Sequence, residues 1–169
     1  MPPELLPGEF SRPLLLGSVG HAGRRLVLTA TAEECAALAI RLGVLGIDAL
    51  AARLDLAPEE GGTVRATGRL SASLTQPCVV SLEPVPQVVD EPVDFRLLPP
   101  GREPADGPDD PDEIEAPDGV ADLGEALSEM LALALDPYPR AAGAALPDSA
   151  GGAVTGGFAP LAALRRKVE

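Results

Sequence analysis

The hydrophobic period of the chain changes several times, and the changes divide it into elements. Residues 9–19, EFSRPLLLGSV, and 24–30, RRLVLTA, read as two strands, with GHAG supplying turn glycines between them. The period then lengthens. Cys35, Leu38, Ala39 and Leu42 recur at helical spacing, Thr31 and Glu34 form a capping-box signature, and Gly43 follows, which predicts a helix over 32–42. From 49 the pattern alternates. Leu50, Ala52, Leu54 and Leu56 face one way, and Ala51, Arg53 and Asp55 the other. PEEGG breaks the run, and over 64–75 the alternation is stricter. Val64, Ala66, Gly68, Leu70, Ala72 and Leu74 share one face, opposite Arg65, Thr67, Arg69, Ser71, Ser73 and Thr75. These two segments predict an antiparallel hairpin with one solvated side.

After Pro77 the chain is expected to continue extended through Cys78, Val80 and Leu82, and a strand over 85–98 holds Val89, Val93, Phe95 and Leu97 in phase. Pro84, Pro86 and Pro92 point to an edge position or to bulges. Residues 99–118 are so acidic and proline-rich that they read as a linker unable to offset its ordering entropy. DLGEALSEMLALALDPYPR then predicts a helix over 122–135, capped by Asp122. Leu123, Leu127, Met130, Leu131 and Ala134 line one face; Glu125, Ser128, Glu129 and Ala132 line the other. Residues 141–169 read as a flexible low-complexity tail. It ends in GFAPLAALRRKVE, where Phe158, Leu161 and Leu164 precede Arg165, Arg166 and Lys167. That basic amphipathic segment either docks into a partner's groove or folds back on the domain. The expected fold is one α+β domain over 9–140: a curved antiparallel sheet of about five strands, covered by two helices.

Composition narrows the function. Of 169 residues, 46% are hydrophobic but only 2% aromatic, so the core is built from Leu, Val and Ala. The formal net charge is −13, and residues 99–140 alone hold twelve acids against two arginines. Such a molecule repels nucleic acid in bulk, and a partner selected by charge is basic. The opening MPPELLPGEFSRPLLL lacks the pattern of a secretory signal, and no run of 18 apolar residues occurs. A cytoplasmic protein without a membrane partner is expected.

Candidate chemistry is sparse. Structural zinc needs four Cys/His ligands, and the chain has Cys35, Cys78 and His21. Cys35 lies among Leu and Ala, and Cys78 reads as a small core residue facing a sheet. A Cys78–His21 pair is conceivable but has no local support. The carboxylates cluster in the linker rather than on a scaffold, and no phosphate loop is present. Arg53, Arg65 and Arg69 share a face and are candidates for RNA contact. Pairing with Asp55 across the hairpin is the simpler account, and no aromatic stacking platform accompanies them.

An ordered set of segments carries a resemblance. It runs from VRATGRLSASLTQPCVVSLEPV through EPVDFRLLP and an acidic stretch to DLGEALSEMLALALDPYPR, with EFSRPLLL ahead and GFAPLAAL behind. The set resembles the YceD family, the large ribosomal RNA subunit accumulation proteins. Its markers here are Gly68, Leu70, Cys78, Leu82, Glu83, Asp122 and Leu123. Many members carry CxxC where this chain has Cys78 and Ser81. The resemblance implies a non-catalytic role in accumulation of 23S rRNA and biogenesis of the large ribosomal subunit. It establishes no enzymatic activity and carries over no catalytic residues; no cofactor and no small-molecule substrate are expected. The expected partner is a ribosomal protein or 23S rRNA of the large-subunit precursor. Asp109, Asp110, Asp112, Glu113 and Glu115 are the candidate contacts to a basic partner. The alternatives are a metal- or thiol-dependent enzyme using Cys78, and an interaction domain unrelated to ribosomes.

Overall fold

A computed structural model describes residues 9–105, 107 and 112–145. In chain order the elements are β1 (Pro13–Leu15), β2 (Arg24–Thr29), α1 (Ala32–Leu42), β3 (Gly46–Pro58), β4 (Val64–Pro77), β5 (Pro84–Leu98), β6 (Asp112–Glu115), β7 (Val120–Asp122) and α2 (Leu123–Ala134). A five-stranded sheet runs β2-β3-β4-β5-β6, and β1 pairs with β7 in a separate ribbon.

The hairpin of β3 and β4 forms where the alternation is strictest. Leu54 pairs with Gly68 and Leu56 with Ala66, so the apolar residues of both strands share one side. Gly68 sits where a side chain has no room: a Cβ there would lie 1.9 Å from the Arg53 carbonyl oxygen. α1 has both halves of the capping box, and Gly43 closes it at φ 66. Leu38 of α1 and Leu127 and Leu131 of α2 join Leu50, Leu54, Leu70, Leu74, Phe95 and Leu97 in one buried cluster. The molecule is thus α+β, with the sheet packed on one side under both helices.

Several expectations are corrected. Of 9–19, only Pro13–Leu15 is a strand; Leu16–Ser18 form a 3-10 turn, and β1 serves β7 rather than the main sheet. The chain does not stay extended after Pro77. Pro77 pairs with Pro84, and residues 78–83 turn back between them, with Leu82 at φ 63. Ser128, placed on the polar face of α2, is buried, its hydroxyl donating to the Gly124 carbonyl at 2.8 Å.

The largest correction concerns the acidic linker. Residues 112–115 form β6, which runs parallel to β5 along Phe95–Leu98, so the sheet is mixed rather than wholly antiparallel. Half-buried Ile114 and buried Ala116 supply apolar contacts that the segment's overall composition hides. The Glu113 carboxylate accepts from the Ala105 N–H at 2.6 Å and reaches Arg96 at 3.8 Å. Residues 99–111 are long enough for the crossover a parallel pair requires. The edge reading of β5 does hold for its first part. Among the described residues no strand lies outside 84–94, where Pro84, Pro86 and Pro92 fall.

Candidate functional site

Four places hold the candidate residues. The first is the outer face of β3 and β4. Arg65 makes a two-pronged ion pair with Asp94 at 2.9 and 2.7 Å, and Arg69 another with Asp90 at 2.5 and 2.9 Å. Both aspartates come from β5 rather than from the hairpin itself. Asp55, the partner suggested by the sequence, instead takes Arg25 of β2 at 2.7 Å. The carboxyls of Asp90 and Asp94 are held below their ordinary values, first by hydrogen bonds from Arg69 and Arg65 respectively. Arg53 pairs in register with Arg69 and makes no ion pair among the described residues.

The second is the acidic run. Asp112 and Glu115 are exposed on β6, while Glu113 is tied into the fold as above. Asp109 and Asp110 lie outside the described residues, as does the basic segment after Phe158.

The third is the turn at Cys78. The Cys78 N–H donates to Glu83 O at 2.8 Å, and the Leu82 N–H to Cys78 O at 3.0 Å. Sγ is fully buried yet absent from the hydrophobic cluster. It accepts backbone N–H groups from Val80 at 3.4 Å, Ser81 at 3.4 Å and Ala141 at 3.3 Å. The thiol is pushed down to about 6, first by the Ser81 hydroxyl, then by the Ala141 and Ser81 N–H groups, with burial opposing. The Ser81 hydroxyl also stands 3.0 Å from Glu83 Oε2, so thiolate and carboxylate compete for one proton. Cys35, in contrast, is pushed up by burial, as a core thiol should be.

What this turn holds is not legible from the sequence pattern. The Val79 N–H donates to Pro139 O at 2.9 Å, Gln76 Nε2 to Asp136 O at 3.1 Å and Gln87 Nε2 to Ala134 O at 3.0 Å. Together with Cys78 they fasten the chain after α2 to the far end of the β4–β5 hairpin. Two glutamines on otherwise apolar strand ends were the available signal. His21 lies at the opposite end of β4, beside Ala57 and Pro58. A strand of 14 residues at about 3.3 Å each spans roughly 40 Å, so no Cys78–His21 pair forms. Among the described residues no group of three or more His, Cys, Asp or Glu is placed to hold a metal ion.

The fourth is the start of α2. Asp122 Oδ1 accepts from the Gly124 and Glu125 N–H groups at 2.9 and 3.2 Å and from Arg12 N at 2.7 Å; Oδ2 accepts from the Ser11 hydroxyl at 2.5 Å. Burial opposes ionisation of Asp122, but these donors outweigh it and hold the carboxyl below its ordinary value. Arg12 also grips Glu34 of α1 at 2.7 and 2.9 Å, and that carboxyl falls to about 2, first through Arg12 and next through the Thr31 N–H. One N-terminal strand end thus fixes both helices. Gly124, unremarked in the sequence, is required there: a Cβ would meet the Phe10 carbonyl oxygen at 1.9 Å.

The remaining markers divide by burial. Leu70 and Leu123 are core; Leu82 is exposed at the tip of the Cys78 turn. No helix among the described residues is long and apolar enough to cross a membrane. A family model described as "Large ribosomal RNA subunit accumulation protein YceD" matches residues 66–159, from β4 past α2. No curated protein and no solved structure matches the chain.

Proposed function

The chain belongs to the YceD family of large ribosomal RNA subunit accumulation proteins, and from that premise we propose that it is a cytoplasmic, non-catalytic assembly factor that binds a basic ribosomal protein. Family membership implies involvement in accumulation of the large-subunit rRNA; the partner and the contact are the proposal. The observation that carries it is the display of Asp112 and Glu115 on a paired strand of a molecule with net charge −13. Carboxylates fixed on a strand lose less side-chain and backbone freedom on binding than the same charges on a loose chain. A basic ribosomal protein held this way is shielded from non-specific contacts until its rRNA site is ready.

Direct rRNA contact by Arg53, Arg65 and Arg69 is the weaker version. Arg65 and Arg69 each carry a carboxylate partner that phosphate would have to displace. A thiol reaction at Cys78 would first require its fully buried sulfur to be uncovered.

Removing the gene and profiling ribosomal subunits tests the reading. Depleted large subunits and reduced 23S rRNA are expected, and normal levels of both would end it. The partner is tested with Asp112→Asn combined with Glu115→Gln. Retention of large-subunit proteins at low salt should fall several-fold, and unchanged retention removes these two residues from the contact.

A further inference from the structure

The apolar residues of α2 are not all used by the core. Leu123, Ala126, Leu127 and Leu131 are buried, but Leu133 is 87% exposed and Met130 only half-buried. Both stand beside the part of β5 that has no outer neighbour among the described residues. Two adjoining hollows of about 320 and 250 Å³ lie between them, sharing Asp112, Met130 and Leu133. Phe95, Ile114, Ala126 and Met130 form an apolar floor in the larger one. Glu91, Asp112 and Glu129 stand on the rim, and none of them makes an ion pair among the described residues.

We propose that this groove between α2 and the open edge of β5 is the docking site for a basic protein segment that inserts an apolar side chain between its Lys and Arg residues. The proposal rests on the reading above and narrows its contact to the Asp112 side of β6, since Glu115 does not line the groove. Three uncommitted carboxylates around an apolar floor select a cation-flanked anchor by charge complementarity. They also disfavour the other occupants. Phosphates meet the rim charges, and among the described residues no exposed aromatic lines the groove for a base to stack on. A second copy docked face to face would set two acidic rims together. The hollows lie near or below the lower end of ligand-pocket volumes, a size suited to an anchor side chain rather than an enclosed small molecule.

The chain carries two methionines, Met1 and Met130, so labelling with ¹³C at the methionine methyls gives at most two signals, the Met130 signal coming from inside the groove. Purified large-subunit ribosomal proteins, added one at a time, are the probe. At least one basic protein should move the Met130 signal and leave Met1 in place. Leu133→Glu should weaken that binding about ten-fold or more; the exposed position leaves the core intact, and an unchanged melting temperature checks this. The proposal is overturned if no protein moves Met130 or if the shift keeps its midpoint in L133E. It is overturned equally if the groove is already filled by residues 157–169, seen as a Met130 shift on Phe158→Asp without any partner. A concentration-dependent shift of the protein alone, or a response only to 23S rRNA fragments, also overturns it. In cells, L133E restoring 23S rRNA fully to a deletion strain counts against the groove alone, whereas normal 23S rRNA in the deletion strain itself counts against the assembly role.

Discussion

At Cys78 a single sulfur gathers N–H groups from its own turn and from Ala141, 63 residues away. The Ser81 hydroxyl first, and then these N–H donors, favour the thiolate, and the consequence is a pH-dependent stability. The folded thiol loses its proton near 6 and an ordinary one at 9.0. Between these values the unfolded chain binds more protons, so stability climbs as pH rises from about 6 to about 9. As pH falls through 6 the folded group protonates and the gain is lost. Chemical denaturation at pH 6, 7.5 and 9 should show this slope in the parent chain and a flatter one in Cys78→Ala; equal slopes would falsify the ionised-thiol account. Two backbone positions give further tests. Leu82 adopts φ 63 while exposed, and Leu82→Gly should raise stability by up to about 1 kcal/mol. Gly68→Ala drives a methyl into the Arg53 carbonyl and should cost about 1–3 kcal/mol. The burial of Cys78 was legible from its place after a long alternating strand. Its polar surroundings were not, because the decisive donor is remote in sequence.

Elements formed by local signals were read from the chain; elements formed by distant partners were not. The capping box of α1, the Asp122 cap of α2 and the alternation of β3 and β4 each lie within a few residues of what they specify. β6 depends instead on an open stretch of β5 and on Ile114 and Ala116, two small anchors in an acidic run. The arginine partners were misassigned for a related reason. Periodicity gives the face of a residue but not which neighbouring strand supplies the opposite charge, and Asp90 and Asp94 lie one strand further than the hairpin. Asp122 tests how far one residue controls an element. An ordinary N-cap replaced by Ala costs about 1 kcal/mol, but this one also accepts from Ser11 and Arg12. Asp122→Ala should therefore cost about 2 kcal/mol or more, as the chain entering β1 and the start of α2 lose a common acceptor. Asp122→Asn, which keeps one carbonyl oxygen, should recover part of it. A loss below about 0.5 kcal/mol in thermal or urea unfolding would show that β1 and α2 hold together without the cap.

For the whole molecule the charge balance sets two salt dependences of opposite sign. Most ion pairs of the fold are short, with Arg65–Asp94 at 2.7 Å, Arg12–Glu34 at 2.7 Å and Arg25–Asp55 at 2.7 Å. Repulsion among the remaining carboxylates acts over longer distances, and a net charge of −13 makes it substantial. Screening separates the two. The Debye length falls from about 30 Å at 0.01 M salt to about 8 Å at 0.15 M, which removes long-range repulsion while leaving contacts below 3 Å largely intact. Exposed pairs are in any case worth only about 0–1 kcal/mol each. Folding should therefore become more stable over that range, with the melting temperature rising by a few degrees by circular dichroism. Binding of a basic partner to the same surface should weaken over the same range, because there the screened interaction is attractive. Competing explanations divide on this pair of measurements. A partner held mainly by the apolar floor beside Met130 would keep its affinity as salt rises, and a partner held by the rim carboxylates alone would lose it without regard to Leu133. Loss of affinity in salt together with loss in L133E is the joint signature of an acidic rim acting around an apolar anchor.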